Sequence, residues 1–540
     1  MNMQTNIQIG RGPLRSAATR ISVAAALLLS TTTLADATVF RTATDTDLKI
    51  LDPVSTTTAV TIMHGLKVYD TLFSMDENET PQPQMVDTYS VSDDGLIYRF
   101  RLRDGLVFSD GSPVESSDVI ASIKRWAQKR SEGQLMNERL ETIVETDSTA
   151  FEIRLKKPFA LLIRGLANPV LPMFVMREEE AKTDPSAQIT TVIGSGPFIF
   201  RQDLWRPGDV VVYEKSPTYK PRSEKASGQA GGKVVNVDRL EERYMPDGNT
   251  ALQALRNDEL DFLYSPPQDA VESLRQDPNF TVGVIDNQGM MGAIRLNTMH
   301  PPFNNVYARQ AMQALVDQPS ILSTMVGSKD MYRVCYSIFG CGAVPFETAA
   351  GTEDWKGQNL EKAKDLLKKS GYDGRPIVVM IPSDDEQLMN QSLVLVEFMR
   401  QAGFAVDPQS MDWSTLTSRR ENTGDPAKDP KVAWDIFGTW LPGSFFKDPF
   451  NLALVATGDP KTAWYGWPKD DKIEALRAAW IDAPTTEDQR KAIDDIQVQY
   501  YASVPQIYTG QFYQASAWRS QIKGVLKGSY PVYWNLTINP

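Results

Sequence analysis

Two histidines and two cysteines in 540 residues leave little from which to assemble nucleophilic or metal chemistry. His64 lies in TIMHGLKVYD, an expected helix, and His300 precedes Pro301-Pro302; both read as structural residues without a partner motif. HExxH zinc chemistry needs more histidine than the chain has. No G-x-S-x-G elbow is present, and Gly194-Ser195-Gly196 is too short for one. Gly228–Lys233, GQAGGK, lacks the spacing of a phosphate loop, and Val234 stands where Ser or Thr would hold magnesium. DGNTALQALRND misses the ligand spacing of a calcium loop. Asp384-Asp385 is a carboxylate pair, but such pairs are ordinary on surfaces and pairing alone is no case for acid–base catalysis. Neither a cofactor nor a metal nor an enzymatic activity is therefore expected.

Binding chemistry is better represented. Met411–Leu452 reads MDWSTLTSRRENTGDPAKDPKVAWDIFGTWLPGSFFKDPFNL. Trp413 opens an expected helix that carries Arg419 and Arg420, a polar loop follows, and Trp434–Trp440 forms an apolar strand running into a Pro-Gly turn. With Phe445, Phe446, Trp464, Tyr465 and Trp467 this is a dense aromatic set. About half of such rings belong to cores. The remainder can stack on a sugar, a ring or a cation.

The elements that must position these residues follow from periodicity. In Tyr98–Arg125, Tyr98, Phe100 and Leu102 alternate with Arg99, Arg101 and Arg103, which describes a half-buried strand. Asp104-Gly105 and Asp110-Gly111 make turns. Ser116 or Ser117 can cap a helix whose apolar face is Val119, Ile120, Ile123, Trp126 and Ala127. Further helices are expected at Val306–Val316 (capped by Asn304 or Asn305), Leu360–Lys369 (closed by Gly371), Glu386–Ala402 (closed by Gly403) and Thr486–Tyr501. Ile377–Ile381 and Phe404–Val406 read as strands beside them, which makes an α/β arrangement. Lys215–Gly232 reads as a surface loop.

The formal charge of −12 argues against nucleic acid, which needs Lys/Arg clusters. Arg11, Arg15 and Arg20 precede the short apolar run Ile21–Leu29 and the small-residue site Ala35-Asp36-Ala37, the pattern of a secretory signal peptide ending at residue 37. The run is too short for a membrane anchor, which takes roughly 20 apolar residues. An exported chain meets an oxidising compartment, so Cys335 and Cys341 are expected to form a disulfide.

LRDGLVFSDGSPVESSDV resembles the signature of the family 5 extracellular solute-binding proteins, the peptide, nickel and opine receptors of ABC importers. The likeness continues through Leu51-Asp52-Pro53, YDTLF, Gly194–Phe198, the LQAL helix with its ELD, and Ile294–Asn297 with Pro301–Phe303. It implies a two-lobed α/β periplasmic-binding-protein fold of type II with an accessory subdomain in the first lobe. The implied division is 38–290 plus 508–540 for the first lobe (accessory subdomain about 70–192) and 291–507 for the second. It implies a monomer in the periplasm that closes over a solute and hands it to ABC permease subunits in the inner membrane. By position, the implied ligand-binding residues are Thr57, Trp413, Arg420, Gly438, Thr439, Trp440, Phe445 and Trp464.

One departure bears on the ligand. In peptide receptors of the family an aspartate four residues before the proline of a DP pair binds the free α-amino group. Here the pair is Asp448-Pro449, and that position is Phe445; Gly443, the other alignment, is not acidic either. An ammonium there would be buried without a counter-charge, at a cost of several kcal/mol. Nor does IPSDDEQ offer the arginine that takes a dipeptide's carboxylate. The expected solute is peptide-like, an opine or another amphipathic or aromatic compound rather than a simple zwitterionic dipeptide. Two alternatives remain open: a secreted carboxylate-dependent hydrolase, and a periplasmic chaperone or sensory receptor of the same fold.

Overall fold

The computed structural model describes residues 37–184, 187–342, 346–450, 458, 463–483 and 485–539. The expected signal segment, apart from Ala37, lies outside them. In strand Ile97–Leu102, Tyr98, Phe100 and Leu102 are buried while Arg99 and Arg101 are exposed, as the period of two requires. This strand lies between Val86–Val91 and Ala150–Leu155, and Leu140–Asp147 completes a four-stranded antiparallel sheet. Helix Ser116–Lys129 packs Val119, Ile123 and Trp126 into the core this sheet shares. Its cap is Glu115 rather than either serine: Glu115 and Asp118 bond reciprocally to each other's backbone ends. Ser116 Oγ instead donates to the Asp147 carbonyl at 2.5 Å, tying the helix start to the sheet.

Two larger sheets carry the lobes. The first has seven strands in the order Phe198–Phe200, Val210–Lys215, Arg239–Tyr244, Val39–Thr44, Phe262–Leu263, Ala515–Arg519, Phe280–Val284. The second has six: Tyr332–Arg333, Ile507–Phe512, Met290–Leu296, Ile436–Pro442, Ile377–Pro382, Val406–Met411. The chain passes between the sheets twice, at 285–289 and at 513–514. The flanking strands are antiparallel partners on both sides of the passage: Phe280–Val284 with Ala515–Arg519, and Met290–Leu296 with Ile507–Phe512. A two-stranded ribbon therefore joins the lobes, the geometry of a hinge. Ile507–Phe512 pairs wholly within the second sheet, so the exchange sits just beyond the boundary expected at 507/508.

Around the second sheet, Asn305 caps helix Val306–Ala314 through the Tyr307 amide at 2.9 Å. Gly371 and Gly403 close helices Leu360–Ser370 and Glu386–Ala402 in the left-handed conformation that glycine tolerates. The edge strand begins at Val406, later than expected, because Phe404 is spent on the core. Cys335 and Cys341 are disulfide-bonded.

Lys215–Gly232 is not wholly a surface loop. Gln229, Ala230 and Gly231 are buried, and Lys233 Nζ donates to Asp70 Oδ1 at 2.8 Å with both side chains out of solvent. The lysine of GQAGGK is thereby committed to an internal ion pair. His64 is likewise internal: it is fully buried, bonded to the Tyr213 hydroxyl at 2.9 Å, and burial pushes its pKa down to about 3.

Candidate functional site

A cavity of ≈ 340 Å³ opens between the two large sheets. One wall comes from the first lobe, at the end of strand Val39–Thr44 and in the segment from Thr57. That segment is pinned from below. Asp52 accepts from Arg125 Nη2 at 2.6 Å, both fully buried, and from the amides of Val54 and Ile189. Arg130 Nη2 donates to the Pro53 and Thr56 carbonyls, each at 2.7 Å. Arg125 lies within helix Ser116–Lys129 and Arg130 is its C-cap, so this helix fixes where Thr57 meets the cavity.

The opposite wall belongs to the second lobe. Strand Ile436–Pro442 is held by Asp435, which pairs with Arg375 at 2.6 Å and accepts the Val378 amide at 2.9 Å. Its Thr439, Trp440, Leu441 and Pro442 reach the cavity. Gly438 does not. It lies against helix Glu386–Ala402, where a Cβ would come within 2.7 Å of Gln391 Nε2 and 2.9 Å of Ser392 Oγ. Glycine is needed there for close packing against the helix. Phe445 also lies away from the cavity, in the turn Gly443–Phe445, packed edge-on against Phe446 at 5.5 Å. The other six expected residues, Thr57, Trp413, Arg420, Thr439, Trp440 and Trp464, all line it.

Arg420 is the only basic residue among the described residues that line the cavity. Its side chain is 4% exposed, its guanidinium lies over the Tyr465 ring at 4.3 Å and near the Trp413 ring at 6.0 Å, and its Nε has no partner. No carboxylate of the described residues lies within ion-pair distance, but Glu421, which accepts from the Tyr465 hydroxyl at 3.2 Å, acts on it from further off. Burial pulls its pKa below the ordinary arginine range. Trp464 and Tyr465 are positioned by Arg295, fully buried, which stacks on Trp464 at 4.6 Å and donates through Nε to the Tyr465 carbonyl at 2.8 Å.

Six carboxylates of the described residues line the cavity as well: Asp45, Glu242 and Asp247 from the first lobe, and Asp384, Asp385 and Glu386 from the second, with Glu242 paired to Lys67 Nζ at 2.8 Å. Asp385 caps helix Glu386–Ala402 through the Leu388 amide at 2.9 Å, and burial, with Asp45 and Asp384 adding, pushes it up to about 7. The Trp440 side chain beside it offsets part of that rise. Asp384 Oδ1 accepts from the Trp413 amide at 2.7 Å and is raised by burial. Asp45 is open to water, yet crowding desolvates it, and with Asp384 nearby its pKa rises too. In the sequence, the acidic run of IPSDDEQ is the local signal for Asp384, Asp385 and Glu386.

Two lobes, a ribbon hinge and a seam cavity define a two-lobed periplasmic-binding-protein architecture. Solved structures agree at the level of the fold. The periplasmic binding protein AgaA of Agrobacterium tumefaciens in complex with agropinic acid superposes with a TM-score of 0.79 at 19% identity, covering 93% of this chain and 99% of that one. A dipeptide-binding protein from Pseudoalteromonas in complex with Met-Leu gives 0.76 at 17% identity, covering 93% and 100%. In sequence, a probable peptide ABC transporter periplasmic-binding protein of Sinorhizobium fredii is 37% identical over 532 residues, 96% of this chain and 97% of that protein. A glutathione-binding protein of Escherichia coli is 26% identical over 369 residues, 67% of each chain. The model of the bacterial extracellular solute-binding proteins, family 5, matches residues 80–462, and the chain belongs to that family. Proteins of this family bind solutes for ABC transporters. Among the described residues no helix is long and apolar enough to cross a membrane.

Proposed function

We propose that this chain is the periplasmic solute receptor of an ABC importer and that its cargo is a small carboxylate-bearing organic solute, peptide-like or opine-like, held in the seam. The observation that carries the reading is Arg420. A guanidinium removed from water and stacked on aromatic rings, with Glu421 acting on it only from beyond ion-pair distance, is costly to keep without a closer counter-charge. A solute carboxylate would satisfy it, and the fixed fork of the guanidinium suits bidentate contact. Trp440, Trp413 and Trp464 would cover the apolar part of the solute, while Thr57 and Thr439 offer hydroxyls. The names of the relatives, which bind peptide, glutathione and agropinic acid, support a carboxylated solute.

The doubt about an amino group, raised by Phe445, does not extend to the whole cleft, because carboxylates reach it from other segments. Those same acids are what a hydrolase would need, so the fate of the solute matters. The test is a thermal-shift panel of peptides, glutathione and opines against their amidated or esterified forms. Free acids are expected to raise the Tm of wild type and to leave Arg420→Met unmoved. Equal shifts from the neutral esters would refute the assignment.

A further inference from the structure

Carboxylates stand on both sides of the seam. Asp45 follows the first-lobe strand Val39–Thr44; Asp384 and Asp385 follow the second-lobe strand Ile377–Pro382. Like charges facing one another across a hinge oppose its closing. Their surroundings do not neutralise them. Asp47, Tyr244 and Asp247 also face this group from the first lobe, and Asp412 and Glu386 from the second. Lys49, an exposed cation, acts on Asp384 and partly offsets the repulsion.

An acidic cluster can be mere solvation or capping, and each of these aspartates does make a local bond. Two further observations point to a guest. Gln387, 8% exposed and lining the same cavity, has an Nε2 with no partner. Arg420, also in the wall, has no carboxylate of the described residues within ion-pair distance. The cavity thus has an acidic end, on which Lys49 acts from beyond ion-pair distance, and a basic residue on which Glu421 acts in the same way.

We propose that Asp45, Asp384 and Asp385 form one cation subsite that spans the seam, and that an amine or guanidinium of the solute seated there draws the two lobes together while its carboxylate engages Arg420. This rests on the solute-receptor reading above and sharpens it: the cargo is two-ended, a cation and a carboxylate on one small molecule. The counter-charge absent at Phe445 is supplied from a different place, shared between lobes, so recognition of the cation and closure become a single event. A neutral or purely anionic solute would leave the repulsion in place.

Two measurements test this. The first needs no solute. Asn retains the Leu388 cap and the local bonds while removing charge, so Asp45→Asn/Asp385→Asn is compared with wild type, both stripped of solute, by small-angle X-ray scattering. At about pH 8 the variant's radius of gyration is expected to fall toward the closed value, and wild type is expected to approach it as the pH drops through about 7, where Asp385 takes up its proton. A variant as extended as wild type at the higher pH overturns the proposal. The second measurement exposes the proteins to a tripeptide pool and to the same pool with every amine acetylated, and counts what is retained by mass spectrometry. Wild type is expected to retain the free-amine pool at least about tenfold better, and the double variant to lose that preference. Equal retention of the two pools by wild type overturns the cation subsite alone. Retention of neither pool overturns the receptor reading and this one with it.

Discussion

Arg420 and Asp286 are both buried charges, and their partners differ in kind. Arg420 has no carboxylate of the described residues within ion-pair distance, so Arg420→Met is expected to cost the fold little and the bound solute about 2–3 kcal/mol, read by calorimetry as roughly a hundredfold weaker binding. Arg420→Lys should recover only part of that, since a lysine ammonium cannot present the fork. Asp286 sits in the passage at 285–289, 7% exposed, with Oδ1 on the Gln288 amide at 2.9 Å and Oδ2 without a partner. Burial pushes it up to about 7 from an ordinary value of 3.8. The folded state therefore holds this proton more tightly than the unfolded state. Its contribution to stability is fully favourable only in acid and is lost as pH rises toward that value. Asp286→Asn, which keeps the Oδ1 acceptor, is expected to raise the Tm more at about pH 8 than at about pH 5. A gain that does not depend on pH would contradict the assignment. Lys233 is the opposite case: its ion pair with Asp70 is internal and complete, so Lys233→Met should destabilise by about 3–5 kcal/mol in urea unfolding.

At the scale of elements, the disulfide is the simplest lever. Cys335 is fully buried, its amide donates to Gln318 Oε1 at 2.7 Å, and the Cys341 amide donates to Gln511 Oε1 at 3.1 Å. Gln318 belongs to helix Gln318–Val326 and Gln511 to the ribbon strand Ile507–Phe512. Opening so short a loop costs about 2 kcal/mol on the chain-entropy account. Cys335→Ser/Cys341→Ser is expected to lower the Tm by a few degrees and to leave solute affinity within about twofold. Elements were also where the sequence was most readable. Leu366 and Leu367 with Gly371, and Tyr98, Phe100 and Leu102 against Arg99 and Arg101, carry their structure in local period and cap. Boundaries slipped where a side chain served something distant. Glu115 took the cap from Ser116 because Ser116 was bonded to Asp147, and Phe404 was taken by the second-lobe core. The site was legible only in part for the same reason. Trp413, Arg420 and Trp440 lie in one aromatic stretch that draws attention. Asp45 and Asp385 become neighbours only once two sheets are folded and facing, and nothing local in TATDTD announces that.

At the scale of the whole molecule there are two lobes on a two-stranded hinge, with ion pairs between segments far apart in the chain. Arg164 from the accessory unit donates to Asp448 at 2.7 Å, Lys157 pairs with Asp482, and Lys447 pairs with Glu79. Lys157–Asp482, the most exposed of the three, contributes little and is screened by salt, and a solute that favours the closed form supplies the drive to close. The most direct measurement is mass spectrometry of what the freshly purified protein carries. Wild type is expected to release, on denaturation, a single class of small molecule bearing a carboxylate and a cationic group, near one per chain and of unchanged mass after incubation with the protein, and Arg420→Met to release none. Release of the same molecule by Arg420→Met, or its recovery as cleaved fragments, would contradict the account.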